Sequence, residues 1–170
     1  HKGYRITVFE ALPVAGGMMR VGVPRHRLPP ELIEREIADI LADGVELRLN
    51  TRVDDVTTLM GEGYDAVFIA VGAHIARRLR IQGADLPGVH LSTEILRKVN
   101  LGEPVTLGRR VLVLGGGNVA MDVARSVLRL GVSDVHLACL EDRPAMPADE
   151  AEIAAAEAEG VTLHSGRSFT

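Results

Sequence analysis

The chain has 170 residues, 46% hydrophobic and 25% charged, with a formal net charge of −4 and a mean hydropathy of +0.15. This composition supports one sizeable packed domain or two small ones and excludes a disordered chain. Basic residues are scattered except at Arg77-Arg78-Leu79-Arg80 and Arg109-Arg110, no apolar run approaches a membrane helix, and the start is no signal peptide, so a cytoplasmic protein without nucleic-acid or membrane partners is expected.

The first element in chain order is Arg5 to Glu10, an apolar strand ending in an acid. Pro13 to Pro30 is rich in Gly and Pro and reads as a long structured loop, of the kind that usually holds something. A helix is predicted from Pro30 to Asp43. Leu32, Ile33, Ile37, Ile40 and Leu41 form its buried face, Pro30 lies in its first turn and Gly44 just past its end. Strand Val45 to Leu49 follows. Tyr64 to Ala73 is a continuous apolar run of the doubly buried, parallel-sheet kind, with Gly72 near its exit. A loop from His74 to Gly88 leads to a short helix near Thr93 to Val99.

Val111 to Leu114 then runs as a strand into Gly115-Gly116-Gly117-Asn118-Val119-Ala120, a G-x-G-x-x-A turn. The helix beyond it buries Val119, Val123, Val127 and Leu130 and stops near Gly131. In such a unit the first glycine permits the turn and the second lets a pyrophosphate approach the backbone. Ala120 keeps the helix close to the sheet, and the helix N-terminus offers N–H groups and positive dipole charge. A second strand, Val135 to Leu140, ends at Glu141 and Asp142. A carboxylate there is placed to hold the ribose hydroxyls of NAD, slightly farther along than the roughly 20 residues usual for this role. Cys139, the single cysteine, excludes an internal disulfide, a C-x-x-C pair and a complete thiolate metal site, and reads as a small buried hydrophobe. Asp149 to Glu159 forms an Ala- and Glu-rich helix ended by Gly160, and Val161 to His164 begins a further strand. Strand and helix alternate throughout, so the class is α/β with Rossmann-like nucleotide-binding domains.

These residues resemble a known family. Val8-Phe9-Glu10-Ala11, Gly16-Gly17, Gly22-Val23-Pro24, Arg27-Leu28-Pro29 and Arg35-Glu36-Ile37 are similar to the flavin domain of the glutamate synthase small (beta) subunit family. Tyr64 to Ala73, Gly115 to Asp122 and Met146-Pro147-Ala148 continue the match across essentially the whole chain. The resemblance implies an FAD-dependent pyridine nucleotide oxidoreductase, an electron-transfer subunit in which hydride passes between nicotinamide and FAD and electrons continue to iron–sulfur partners. It implies that Glu10 holds the FAD ribose, that Gly16, Gly17, Arg27 and Leu28 wrap the flavin, and that Gly72 runs beside it. The family's first strand with its own G-x-G-x-x-G falls before His1, and its closing FAD segment after Thr170. The chain therefore reads as an internal piece, with a partial FAD-binding domain at 1–88 and an inserted NAD(P)-binding domain at 89–170, its partners being the rest of the flavoprotein and iron–sulfur or catalytic subunits.

NADP-using relatives place two adjacent arginines after the second strand of the nicotinamide domain; Leu140 and Glu141 stand there in this chain. A carboxylate repels the 2′-phosphate and accepts bonds from ribose hydroxyls, so NAD is expected in preference to NADP. Arg143 is the residue able to restore phosphate binding if the loop folds back. The cofactor-binding set is thus Glu10, Gly16, Gly17, Arg27, Leu28, Gly72, Gly115, Gly116, Gly117, Asn118, Val119 and Glu141. No catalytic side chain and no metal ligand is assigned, because hydride transfer is cofactor chemistry and His26 and His74 sit in no acid–base constellation. The alternative from another class is a nucleotide-binding module without activity of its own that docks on a partner.

Overall fold

The computed structural model describes residues 3–168. Two compact units divide at His74 and Ile75, earlier than the boundary expected at residue 88.

In the first unit, β1 (Thr7–Phe9) pairs in parallel with β2 (Glu46–Arg48), with Val8 opposite Leu47. The loop expected between Pro13 and Pro30 contains a short helix, α1 (Gly17–Val21), whose Val21 is buried. Helix α2 (Pro30–Ala42) starts on its proline, and Gly44 follows it at φ +91°. A third helix, α3 (Val56–Gly61), was not anticipated; the Asp55 carboxylate caps it by accepting the Thr57 N–H at 2.8 Å.

The expected burial of α2 is only partly found. Ile33 is buried, whereas Leu32 and Ile40 are 42% and 58% exposed. Tyr64 to Ala73 is not a strand: it carries no ladder, and Phe68 is 91% exposed. Its composition suits a doubly buried strand, but a strand exists only through hydrogen bonds to a neighbour, and none pairs with this run among the described residues. Tyr64 is its anchored end, meeting Phe9 edge to face at 5.7 Å.

The second unit is built on three parallel strands, β3 (Arg110–Leu114), β4 (Asp134–Ala138) and β5 (Thr162–His164), in that order. Helix α4 (Ser92–Leu101) precedes β3, α5 (Asn118–Arg129) connects β3 to β4, and α6 (Glu150–Ala158) connects β4 to β5. Parallel neighbours require such crossovers. The register sets Val111 opposite Val135 and Leu137 opposite Leu163. Val135 and Leu137 are fully buried with Met121, Ala124, Val127 and Ile153 in one cluster. The alternate residues, Leu112 and His136, lie with His164 and Arg167 on the opposite, open side of the sheet.

The buried face of α5 is wider than the expected single stripe. Val123 and Val127 are buried, but Val119 and Leu130 are 51% and 45% exposed, while Ala120, Met121 and Ala124 are covered. The helix packs on the sheet and on two other helices, α4 and α6, so more of its circumference is covered than one stripe. Val119 is left at the rim of the turn. No helix among the described residues is long and apolar enough to cross a membrane.

Candidate functional site

The glycine turn at the end of β3 is fixed by the strand beside it. Gly115 continues the ladder, donating its N–H to Ala138 O at 2.8 Å, and it does so at φ +133°, a conformation side chains rarely adopt. A β-carbon on Gly116 would lie 3.0 Å from both Cys139 Cβ and Glu141 Oε2. The turn therefore rests directly on the exit of β4, and the Glu141 carboxylate lies against it. Gly117 differs: at φ −93° and ψ 173° its backbone is ordinary, and a β-carbon there would meet nothing within 4 Å. This glycine leaves an open space in front of the start of α5, where the first N–H groups of a helix have no intrahelical acceptor. Space, unspent donors and dipole charge together suit a phosphate.

A frame closes around that turn through Asn118, expected to touch cofactor, and the loop that ends at Asp149. Asn118 Nδ2 donates to Asp149 Oδ2 at 2.9 Å and Asn118 Oδ1 accepts the Asp149 N–H at 2.8 Å. The Ala148 N–H reaches Gly116 O at 3.0 Å. Residues 142–149 are thereby tied across the glycine turn, with Met146 and Ala148 buried beneath them. The Met146-Pro147-Ala148 motif was the available signal, but spacing alone did not reveal that its neighbour Asp149 grips Asn118. The Glu141 carbonyl is also pinned, accepting the Gly166 N–H at 2.8 Å.

Arg143 is engaged by α6. Its guanidinium forks onto the Glu150 carboxylate with two bonds of 2.7 Å, and Glu157 stands 3.4 Å away. The Arg143 hydrogen bonds hold the Glu150 carboxyl below its usual range, and Glu150 in return raises the Arg143 value. Cys139 is buried beneath the turn and burial pushes its thiol up, so it is an inert packing residue. No cluster of metal-ligating side chains occurs among the described residues.

The first-unit residues are less assembled. Glu10 ends β1 with its carboxylate accepting the Leu12 N–H at 2.8 Å, and its carbonyl accepts the Thr51 N–H at 2.8 Å. Gly16, at φ +109°, packs so closely on α2 that a β-carbon would lie 2.8 Å from Ile33 Cγ2. Gly17 has open space beside it at φ +55°. Arg27 is exposed and Leu28 half-buried in a turn whose N–H groups both bond Pro24 O. Gly72, at φ +65°, sits in the unladdered run. Gly115 to Val119 and Glu141 are thus brought together into one site, whereas the flavin-side set is spread over a strand end, two turns and an extended segment.

Comparison with known proteins gives a match to the pyridine nucleotide-disulphide oxidoreductase family model over residues 2–170. The chain is 48% identical over 172 residues to the NADP(+)-dependent formate dehydrogenase subunit beta of Moorella thermoacetica, covering 96% of this chain and 24% of that relative. It is 37% identical over 171 residues to the glutamate synthase (NADPH) small chain of Halomonas elongata, covering 94% of this chain and 36% of the relative. Among solved structures, 2-naphthoyl-CoA reductase in complex with 2-naphthoyl-CoA shares the fold, with a TM-score of 0.78 at 22% identity, covering 97% of this chain and 25% of that one. The chain spans only about a quarter to a third of these proteins' lengths.

Proposed function

The chain belongs to the pyridine nucleotide-disulphide oxidoreductase family, and from that premise we propose that it is the nicotinamide-binding part, with a portion of the flavin-binding part, of an FAD-dependent NAD(P)H oxidoreductase subunit. The observation that carries this reading is the open space at Gly117 beside the Glu141 carboxylate and the start of α5. Gly115 makes the turn, Gly117 admits the pyrophosphate to the backbone, the first N–H groups of α5 donate to it, and Asn118 and Asp149 hold the opposing loop in place. When bound, nicotinamide and flavin exchange hydride by their own chemistry, and the protein supplies position and electrostatics. Glu10, Gly16, Gly17, Arg27, Leu28 and Gly72 would serve the flavin. Electrons would then pass to iron–sulfur or catalytic partners. The division at residue 88 remains our assignment of sequence to the two cofactors.

We favour NADH over NADPH although both relatives carry NADP in their names. Glu141 lies against the turn and Arg143 is engaged by Glu150, so the cleft offers carboxylate to the ribose where a 2′-phosphate needs cation. Titration of the chain with both nucleotides tests this. NADH should bind more tightly, Glu141→Arg should narrow or reverse the difference, and Gly117→Val should abolish binding while leaving the fold intact, since Gly117 is in an ordinary backbone conformation with room for a side chain. Tighter NADPH binding by the parent, or parental affinity in a folded Gly117→Val variant, would refute the assignment.

The exposed apolar run at Phe68, Ile69 and Val71 favours a second reading, a module that functions only when docked on further protein. Bleaching of a yellow, flavin-loaded protein by NADH separates the two, and incubation of the chain with excess FAD followed by desalting tests its flavin site. A colourless chain that still binds NADH fits an incomplete flavin site, and a one-to-one flavin signal would overturn that view.

A further inference from the structure

Two residues after Glu141 the chain carries a cation, Arg143, that the nicotinamide site leaves unused. Arg143 belongs to the 3-10 turn Arg143–Ala145. It donates from Nη1 to Glu150 Oε2 and from Nη2 to Glu150 Oε1, both at 2.7 Å. A guanidinium fork of this kind serves carboxylate and phosphate alike. Glu150 and a nucleotide phosphate are therefore competitors for the same donors. Glu150 is 76% exposed, so the pair contributes little to stability; its consequence is the direction in which Arg143 points. Arg167 also reaches the exit of β4, its N–H donating to Cys139 O at 2.8 Å. Its side chain, however, lines the open sheet face with His136 and His164. Arg143 is the cation that the loop after Glu141 supplies.

We propose that Glu150 is a specificity-determining residue: by occupying the Arg143 fork it withholds those donors from the 2′-phosphate of NADPH, and so enforces the preference for NADH that Glu141 begins. The two acids act by different routes. Glu141 repels the phosphate at the turn, and Glu150 removes the neighbouring cation that would offset the repulsion. Glu157, 3.4 Å from the same guanidinium, is a second acceptor ready to keep Arg143 on α6 when Glu150 is lost. This inference rests on reading Gly115 to Gly117 with Glu141 as a nicotinamide dinucleotide site.

The test is titration of the chain with NADH and NADPH, followed by nucleotide fluorescence, in the parent, in Glu150→Gln/Glu157→Gln, and in that double variant carrying Arg143→Ala. Neutralising both acids should tighten NADPH about five- to tenfold, the scale of a charge-assisted pair at a solvated site. NADH should stay within about twofold, since its ribose hydroxyls carry no charge to reward. The NADPH gain should shrink in high salt and vanish with Arg143→Ala, while Arg143→Ala alone should leave both parental affinities unchanged. Unaltered NADPH affinity in the double variant, equal gains for both nucleotides, or a gain that survives Arg143→Ala would overturn the proposal. Failure of the underlying site reading has a different signature: a parent that binds neither nucleotide, or a folded Gly117→Val variant that binds NADH as well as the parent. Either result would also end the inference about Glu150.

Discussion

The two units differ in how their apolar residues are spent. In the second, alternate residues of β4 are fully buried under α5 and α6, and Leu137 has no exposed surface. In the first, a two-stranded sheet carries Val8 at 43% exposure, and a run as apolar as any strand in the chain ends with Phe68 at 91% and Val71 at 75%. The same kind of sequence therefore reaches two outcomes. A parallel strand is a shared object, and hydrophobicity creates a demand for cover that only a neighbour meets.

The largest effect that sharpens this contrast comes from paired truncations. Leu137→Ala removes a side chain from the centre of a closed core and should destabilise the chain by about 3 kcal/mol, within the usual range for such a cavity. Phe68→Ala removes a bigger side chain and should change stability by less than about 0.5 kcal/mol, because almost nothing covers it. Chemical denaturation of both variants measures the difference. A Phe68→Ala loss comparable to that of Leu137→Ala would show that the first unit buries this run after all.

What was legible in the sequence follows the same division. The turn at Gly115, the strand before it and the helix after it are set by local chemistry, and they form where spacing put them. Pro30 and Gly44 bracket α2 because a proline suits a first helical turn and a glycine suits the left-handed stop. The likeness to the glutamate synthase small chain was carried by several ordered motifs and is matched by the relatives found. Tyr64 to Ala73 reads as a strand because the run is apolar, and nothing local says whether a neighbour pairs with it. The grip of Asn118 on Asp149 was invisible for a related reason: residues thirty-one apart meet only after β4 and its loop have folded. Arg143 was legible as a cation near Glu141, but its capture by α6 was not.

A second, smaller effect separates the units by their ion pairs. In the second unit Glu159 bridges Arg129 and Arg125 at 2.6 and 2.8 Å, joining α5 to α6, and its side chain is 29% exposed. The hydrogen bond from Arg129 foremost, with help from Arg125, brings the Glu159 value down to about 2. A carboxylate depressed on folding stabilises the native state above its unfolded value, and that contribution drains away as pH falls from about 4.5 toward 2. The loss should be about 2 kcal/mol after allowance for solvent screening. Thermal unfolding between pH 6 and about pH 2.5 should therefore decline more steeply in the parent than in Glu159→Gln. In the first unit, Arg52 and Asp54 are paired at 77% and 75% exposure, and replacing either should change stability by less than about 0.5 kcal/mol. Parallel pH profiles for parent and Glu159→Gln would remove this distinction.

The smallest effect concerns the frame of the site itself. Asn118→Ala deletes both side-chain bonds to Asp149 while leaving the glycine turn, the β3–β4 ladder and the bond from Ala148 to Gly116 intact. Those two bonds are exposed to solvent, so their net worth to stability is about 1 kcal/mol or less. The nucleotide should feel the change more than the fold does. If the loop at 142–149 forms one wall of the cleft, freeing it means that binding must restore the wall's order, and NADH affinity should fall about three- to tenfold with little shift in melting temperature. Asp149→Ala should reproduce part of the loss: it removes the carboxylate that accepts from Asn118 Nδ2 but keeps the backbone N–H that donates to Asn118 Oδ1, and it also removes a negative charge that would otherwise repel phosphate. If instead Asp149→Ala tightens NADH while Asn118→Ala weakens it, the charge at Asp149 governs binding and the clamp does not. Weakening in both variants, larger in Asn118→Ala and accompanied there by faster hydrogen exchange at the Asp149 and Ala148 amides, would identify the well-ordered frame as the feature that distinguishes the second unit's site from the dispersed residues of the first.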